Sequence, residues 1–189
     1  LKHRMNQPAT ERVPLIVRHE AKCIAVFPEV TKVGMVIAGK SGHGLVSCRQ
    51  PDSGAWGVPV FYQVTGASVG LQAGVQTSNL MLLVVDEAGV QKLLEEKVEF
   101  GGDVSVAAGP VGAEAGARTG ASILSYSRTK GVFAGVDIGG STISFDKEAN
   151  AAAYGHDQGV KALLFQQAIS QGTLKDFRDT LNDYAPSRQ

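Results

Sequence analysis

The chain has 189 residues, of which 43% are hydrophobic and 19% are charged, and its formal net charge is zero. This length predicts one domain over 1–189, and the composition excludes a disordered or membrane-spanning chain. The longest uninterrupted apolar stretch, at 80–85, is far shorter than the roughly 20 residues that cross a bilayer as a helix. Any contact with a membrane is therefore predicted to be peripheral.

Basic residues are concentrated near the start of the chain. Residues 1–50 contain eight Lys and Arg against three Glu, so this part carries +5 and the remainder carries −5. Such an asymmetry indicates a surface that faces a polyanion, although solvated faces without a partner would produce the same count.

The first predicted element is a basic amphipathic helix over 9–22, in which Pro14 is tolerated only near the first turn. Helices of this kind lie in the membrane interface, with apolar side chains among the acyl chains and cations at the headgroups. The candidate contacts in this segment are Arg12, Leu15, Ile16, Arg18 and Lys22.

Short apolar or alternating stretches predict strands along most of the remaining chain. In order they are Cys23–Phe27 (stopped by Pro28), Gly34–Gly39, Ser68–Gln76, Leu80–Val85, Val98–Val106, Ala121–Arg128, Val132–Val136 and Thr142–Phe145. Helices are predicted at Glu87–Glu96 and Lys147–Tyr154, capped by Asp86 and Asp146, and at Gly159–Ser170 and Leu174–Tyr184.

This order of elements predicts an α+β domain, with a strongly curved, mainly antiparallel sheet flanked by N-terminal and C-terminal helices. Gly66, Gly70 and Gly74 follow one another closely in a strand-like stretch. Glycines at such positions indicate bends or close backbone approach, so a barrel-like or sandwich arrangement is expected.

The two cysteines, Cys23 and Cys48, each lie in an apolar, strand-like stretch. Buried free thiols are the favoured interpretation, and a disulfide between neighbouring strands is the alternative in an oxidising compartment. Two cysteines define no metal cluster, and no His and Cys pair has the spacing of a zinc site.

Residues 34–41 match the P-loop pattern G-x-x-x-x-G-K-[ST] in every position. A P-loop requires a flexible phosphate-wrapping loop followed by a helix, whereas here the intervening residues are apolar and a second strand-like stretch follows. No G-x-S-x-G elbow occurs, and His19, His43 and His156 lie beside no evident nucleophile. We therefore predict neither nucleotide binding nor an enzyme, and no cofactor.

The one aromatic cluster, Trp56–Tyr62, has two interpretations. Core packing is favoured, and the alternative is an amphipathic aromatic side chain at the level of lipid headgroups. Trp56 is kept as a candidate lipid-contacting residue for that reason.

Several segments taken together resemble the SYLF domain family. They are Ala21–Pro28, Gly39–Cys48, Trp56–Phe61, Gly66–Gly70, Phe100–Gly112, Ile123–Arg128, Gly131–Gly135 and Ala153–Gly155. The resemblance covers about 13–155, and 156–189 is expected to be a helical C-terminal tail.

This resemblance implies binding to acidic phospholipids and phosphoinositides through a basic N-terminal helix and an adjoining basic surface. Fungal and animal relatives join the domain to a Src-homology module and act in cortical actin assembly. The sequence is more similar to stand-alone bacterial members, many of them exported or lipid-anchored. Actin is therefore not expected as a partner, and either an envelope location or a cytoplasmic peripheral one is anticipated.

The resulting hypothesis is peripheral binding of anionic phospholipid membranes, with no nucleic acid as partner. Lys32, Lys40 and Arg49 join the candidates already named, and the cations are expected to share one surface. One alternative is a soluble carrier with an apolar cavity lined by Val69, Leu71, Val104 and Val106. Another is a protein-interaction module of the cell envelope.

Overall fold

The fold is described from a computed structural model of the chain, for residues 13–34, 37–69, 74–112, 120–129, 132–155, 158–165 and 173–186. The helices are α1 Leu15–Glu20, α2 Glu87–Leu93, α3 Lys147–Tyr154, α4 Val160–Leu164 and α5 Thr173–Tyr184. The strands are β1 Cys23–Gly34, β2 Ile37–Cys48, β3 Val60–Val69, β4 Gly74–Val84, β5 Lys97–Glu99, β6 Val106–Ala108, β7 Ile123–Thr129, β8 Val132–Gly135 and β9 Thr142–Phe145.

All of these strands belong to one curled sheet, which forms a half-barrel. The order is β5-β9-β3-β2-β1-β4-β7-β6, and β8 pairs with β7 outside this path. Among the described pairs β6–β7 is parallel and the others are antiparallel. The predicted α+β class and the curved, mainly antiparallel sheet are confirmed.

Each face of the sheet buries its own apolar cluster. The face that carries Phe27, Tyr62 and Ile143, called the inner face here, draws residues from both ends of the sheet and packs against α2 and α4. The opposite, outer face carries Ile24 and Met81 and packs against α1 and α5. Removal of this apolar surface from water on both faces drives the fold and fixes the strand register.

The central strands are longer than the sequence predicted. Pro28 does not end the first strand, because β1 continues through it with a bulge between Phe27 and Val30. Proline is tolerated at such a bulge, where the ladder of hydrogen bonds is already interrupted. Leu80–Val85 was predicted as a central strand, and the corresponding strand β4 lies between β1 and β7.

Three predicted strands are wrong because each runs across the break between two strands. The stretch 34–39 contains the end of β1 and the start of β2, and 68–76 contains the end of β3 and the start of β4. The stretch 98–106 is divided between β5 and β6 by a turn in which Gly101 has a φ of 87°. The alternation continues across these breaks, so it does not reveal where one strand ends and the next begins.

Apart from 98–106, the described segments between β4 and the C-terminus agree more closely with the prediction from the sequence. Thr142–Phe145 and Lys147–Tyr154 have the predicted bounds, and α2 and α4 are shorter than predicted. Both predicted N-caps are present, since Asp86 accepts a hydrogen bond from Gly89 N at 2.8 Å and Asp146 from Ala149 N at 3.0 Å.

The two cysteines are joined to each other. Cys23 and Cys48 lie directly opposite in the β1–β2 ladder and form a disulfide, buried on the inner face. The favoured interpretation of free thiols is therefore wrong, because the register of two long strands places the side chains side by side.

Candidate functional site

The P-loop match does not form a phosphate-wrapping loop in the described residues. Gly39, Lys40 and Ser41 lie in β2 and pair with β1 on one side and β3 on the other. Their backbone groups therefore belong to the sheet, and β2 continues to Cys48 where a P-loop would begin a helix.

Lys32 and Lys40 are brought together by this same pairing. They lie opposite each other across β1 and β2, and directly opposite side chains have Cβ atoms about 5 Å apart. Both side chains are half-buried. Among the described residues, no carboxylate oxygen lies within 4.0 Å of either ammonium group.

These two lysines line a cleft of about 450 Å³ at one end of the inner face. The end is where β1 and β7 finish and where β2 and β4 begin, and we call it the rim. Its other lining residues are Val30, Thr77, Ser78, Leu80, Ser127, Thr129, Val136, Asp137 and Ile138. The cleft therefore has an apolar floor continuous with the core, and hydroxyl groups and charges at its mouth.

The segment 136–138 closes one side of the cleft. Val136 N donates to Ser125 O at 3.1 Å, and Ser125 Oγ in turn donates to Val136 O. Ile138 is buried, whereas Asp137 is exposed and accepts from Gly139 N at 2.8 Å. The Asp137 carboxylate is thereby held at the cleft.

The electrostatic environment of Lys40 disfavours its charge. Burial lowers the pKa of the Lys40 ammonium, the like charge of Lys32 lowers it further, and Asp137 opposes these effects. Gly66, opposite Lys40 on β3, has no side chain, and a Cβ there would lie 3.3 Å from Lys40 Cε. The sheet thus leaves room for a lysine that it stabilises poorly.

Two exposed valines lie at the rim on the other face of the sheet. Val33 and Val75 pair across β1 and β4, and their exposed fractions are 53% and 68%. Because side chains alternate along a strand, Val33 points away from the face that carries Lys32. Apolar side chains and cations therefore occur together at one end of the molecule.

Helix α1 carries the other predicted apolar contacts. Leu15 and Ile16 are 57% and 49% exposed, while Val17 is buried against the outer face. Lys22 is exposed just before β1. The helix is shorter than the predicted 9–22, and Arg12 lies outside the described residues.

Arg18 and Arg49 use their guanidinium groups inside the protein. Arg18 Nη1 donates to Tyr184 O at 2.7 Å, and Arg49 Nη2 donates to Ala185 O at 2.8 Å. Both cations therefore meet carbonyl groups at the C-terminal end of α5, where the helix dipole is negative. Arg49 also donates through Nε to Ala21 O at 2.9 Å.

Trp56 is 3% exposed and belongs to the outer core. Its indole N–H donates to Ala185 O at 2.9 Å, and the Arg49 guanidinium carbon lies 4.3 Å from its ring centre. This placement agrees with core packing, which was the favoured interpretation of the cluster.

The predicted site residues therefore fall into three groups. Lys32 and Lys40 are together at the rim, Leu15, Ile16 and Lys22 lie on or after α1, and Arg18, Arg49 and Trp56 hold the end of α5. About ten residues of strand separate Lys22 from Lys32, which is roughly 30 Å. The structure does not gather these cations on one surface.

Sequence reasoning did not find Val33, Val75 or the hydroxyl groups of the cleft. They become neighbours only through the register of β1 with β4 and of β4 with β7. No signal in the sequence marks the break between β1 and β2, and it is the pairing of these two strands that places Lys32 opposite Lys40.

Two of the segments that carry the family resemblance meet at the parallel pair β6–β7. A Cβ on Gly109 would lie 2.0 Å from the ring of Tyr126, whose hydroxyl donates to Pro110 O at 3.0 Å. Only glycine permits this contact between backbone and ring. This contact joins the Gly109-Pro110 segment to the strand that carries Tyr126, Ser127 and Arg128.

No cluster of three or more metal-ligating side chains occurs among the residues for which positions are described. His43 Nδ1 lies 3.5 Å from Asp146 Oδ2 on the surface. None of the described helices has the length and apolar character needed to span a bilayer.

Comparison with known proteins decides the family. The model of the Ysc84 family, described as a Las17-binding protein actin regulator, matches residues 65–184. The chain belongs to the Ysc84 family. This is the family of the SYLF domain, so the resemblance inferred from the sequence is confirmed.

Individual members of the Ysc84 family are similar over most of this chain. Protein YSC84 of Saccharomyces cerevisiae is 34% identical over 82% of the chain and 34% of its own length. An SH3 domain-containing protein of Schizosaccharomyces pombe is 34% identical, over 92% of the chain and 42% of its own length. The human SH3 domain-containing YSC84-like protein 1 is 28% identical, over 91% and 51%. The chain thus spans about a third to a half of these relatives.

Proposed function

We propose that this domain binds anionic phospholipid membranes peripherally and without catalysis, with the rim as its main contact. The observation that carries the proposal is the pairing of Lys32 with Lys40 beside the exposed pair Val33 and Val75. Each cation near an anionic surface contributes about 1 kcal/mol, and apolar side chains that enter the interface add to it.

Helix α1 supplies a second contact in this proposal. Leu15 and Ile16 project from the protein while Val17 anchors the helix to the outer face. Lys22 adds an exposed cation next to the helix, and Arg12, outside the described residues, stays a predicted contact. In this proposal α1 has the role of the basic N-terminal helix that the family resemblance implies.

Vesicle flotation tests the rim. We expect recovery with phosphatidylserine-containing vesicles and little with phosphatidylcholine alone, and a decline as salt rises because the charges are screened. Lys32→Gln combined with Lys40→Gln should reduce recovery, as should Val33→Ser combined with Val75→Ser. Lys97→Gln is the matched control, since Lys97 is an exposed lysine on the distant strand β5. Equal recovery on neutral and anionic vesicles would refute the electrostatic basis.

The contribution of α1 is tested separately by Leu15→Ser combined with Ile16→Ser. Both side chains are exposed, so the fold should be retained while vesicle recovery falls. Unchanged recovery would assign membrane binding to the rim alone.

A second candidate function is binding to a protein of the actin assembly machinery. The family description, a Las17-binding protein actin regulator, favours it, as does the name of a further Saccharomyces cerevisiae relative, LAS seventeen-binding protein 3. Co-sedimentation with actin filaments, and a pull-down of a Las17-type partner, would detect it. Binding in either assay with no recovery on any vesicle would replace the membrane proposal.

The carrier alternative receives no support from the described residues. Val104 is buried in the inner core, and Val106 packs against that core. The side chain of Val69 and all of Leu71 lie outside the described residues. This alternative would be supported if native mass spectrometry of the purified protein detected a bound lipid.

A further inference from the structure

We propose that the cleft between Lys32 and Lys40 is a specific site for a phosphate monoester, in which the two ammonium groups hold one dianionic phosphate. The inference deepens the membrane proposal, on which it rests for the source of the ligand when that ligand is a headgroup. It places a binding pocket on the inner face of the sheet, away from α1.

The first argument is the arrangement of charge. Like charges directly opposite in a sheet are destabilising, and here both are partly removed from water without a carboxylate within 4.0 Å among the described residues. A dianion between the two side chains removes this repulsion. Lysine is suited to the task because its ammonium group is a compact charge with three donors.

The second argument is the supply of hydroxyl groups around the lysines. Ser127 pairs with Leu80 in the β4–β7 ladder and so shares the inner face, and Thr129 follows two residues later on that face. Ser78 joins them on β4, where it pairs with Val30. These hydroxyls offer neutral donors beside the ammonium groups, as the several oxygens of a phosphate require.

The third argument concerns the remainder of the ligand. The cleft volume of about 450 Å³ lies within the usual range for small-molecule sites and exceeds what phosphate alone would fill. Asp137 at the mouth is an acceptor that repels an anion but suits a hydroxyl group of an alcohol. The cleft therefore fits a phosphate ester of a polyol better than inorganic phosphate.

The direct test is NMR titration of the protein with glycerol 3-phosphate, with inorganic phosphate and sodium chloride at equal ionic strength as comparisons. We expect saturable shifts at the amides of the cleft, stronger with the ester than with phosphate, and none with chloride. Lys32→Gln combined with Lys40→Gln should weaken binding by about tenfold or more, because two charge-assisted contacts are lost. Lys97→Gln should leave it unchanged.

Thermal stability provides a second readout, which is measured first without the ester and then with it. Because the lysine pair repels itself, the double variant should unfold at the same or a higher temperature than the unmodified protein. Glycerol 3-phosphate should raise the unfolding temperature of the unmodified protein and not that of the double variant. Absence of saturable shifts at the cleft in the unmodified protein would overturn the site.

The source of the ligand is decided with vesicles. Phosphatidic acid presents a phosphate monoester and phosphatidylglycerol a diester, so the two are compared at equal surface potential. A preference for phosphatidic acid that the double variant loses identifies a headgroup as the ligand. Equal recovery on both, together with saturable glycerol 3-phosphate binding, identifies a soluble ester.

The two proposals can fail independently. Vesicle binding without any glycerol 3-phosphate binding or phosphatidic acid preference removes the cleft site and leaves the membrane proposal standing. Glycerol 3-phosphate binding without vesicle recovery removes the membrane proposal and leaves the cleft as a site for a soluble ester.

Discussion

Arg49 ties three separate backbone segments together. Its guanidinium group donates to Ala21 O before β1, to Gly54 O at 3.1 Å and to Ala185 O after α5, and it lies over the ring of Trp56. A planar fork with several fixed donors can satisfy this set, and an ammonium group cannot. Burial lowers the pKa of the Arg49 guanidinium. Its donors bind backbone carbonyl groups, whereas the sequence predicted that they would bind lipid phosphates.

Arg49→Lys is therefore expected to destabilise the protein without weakening membrane binding. Loss of the charge-assisted bonds should lower the free energy of unfolding by about 2 kcal/mol. Urea denaturation measures this loss, and flotation of the folded variant measures binding. The charge is retained, so a fall in vesicle recovery at full folding would instead assign Arg49 to the lipid contact.

Helix α3 shows how one side chain sets the start of an element. Asp146 Oδ1 accepts from Ala149 N, while its other oxygen faces His43. Burial raises the pKa of Asp146, but the hydrogen bonds from Ala149, Gln63 and His43 outweigh it, so the net shift is downward. Asn150 on the same helix accepts from Phe61 N at 2.8 Å and fixes α3 against β3.

The lowered pKa makes the contribution of Asp146 dependent on pH. A carboxylate whose pKa is lower in the folded state stabilises the protein above its unfolded pKa of about 3.9, and this stabilisation is lost as pH falls through the folded pKa. Asp146→Ala should cost about 1 kcal/mol at pH 7 through loss of the cap. Asp146→Asn retains a capping oxygen, so its smaller loss should disappear in acid. Chemical denaturation over a pH series measures both, and a deficit of Asp146→Asn that is constant with pH would contradict the assigned cause.

Elements were predictable where local chemistry alone determined them. The caps Asp86 and Asp146 and the strand Thr142–Phe145 follow from side-chain type and alternation within a few residues. The breaks between β1 and β2 and between β3 and β4 did not follow, because the apolar pattern is the same on both sides of each break. The rim could not be predicted for this reason. Its residues lie at the ends of strands, and the predicted bounds of those strands were wrong.

At the scale of the whole molecule, the two ends of the sheet differ in role: one end carries contacts that stabilise the fold, and the other carries the proposed binding residues. One end of β1 carries the disulfide, and Arg18, Arg49 and Trp56 hold the C-terminal end of α5 against the outer face. The opposite end carries the facing pair Lys32 and Lys40, and both burial and the charge of Lys32 disfavour the charge of Lys40. Charge and hydrophobicity in the sequence identified the candidate cations, but only the long-range register showed which of them already bind carbonyl groups. This division is the physical reason for locating the proposed function at the rim.

The disulfide permits a test of whether the stabilising end of the sheet and the rim are independent of each other. Cys23 and Cys48 are 25 residues apart, and closing a loop of this length in the unfolded chain is expected to contribute about 3 kcal/mol. Reduction, or Cys23→Ala combined with Cys48→Ala, should lower the urea midpoint accordingly. Because the bond lies at the far end of β1 from the rim, the folded variant should retain its vesicle recovery and any cleft shifts. Loss of either at full folding would show that the rim depends on the bonded end of the sheet, and that support and binding are coupled through β1.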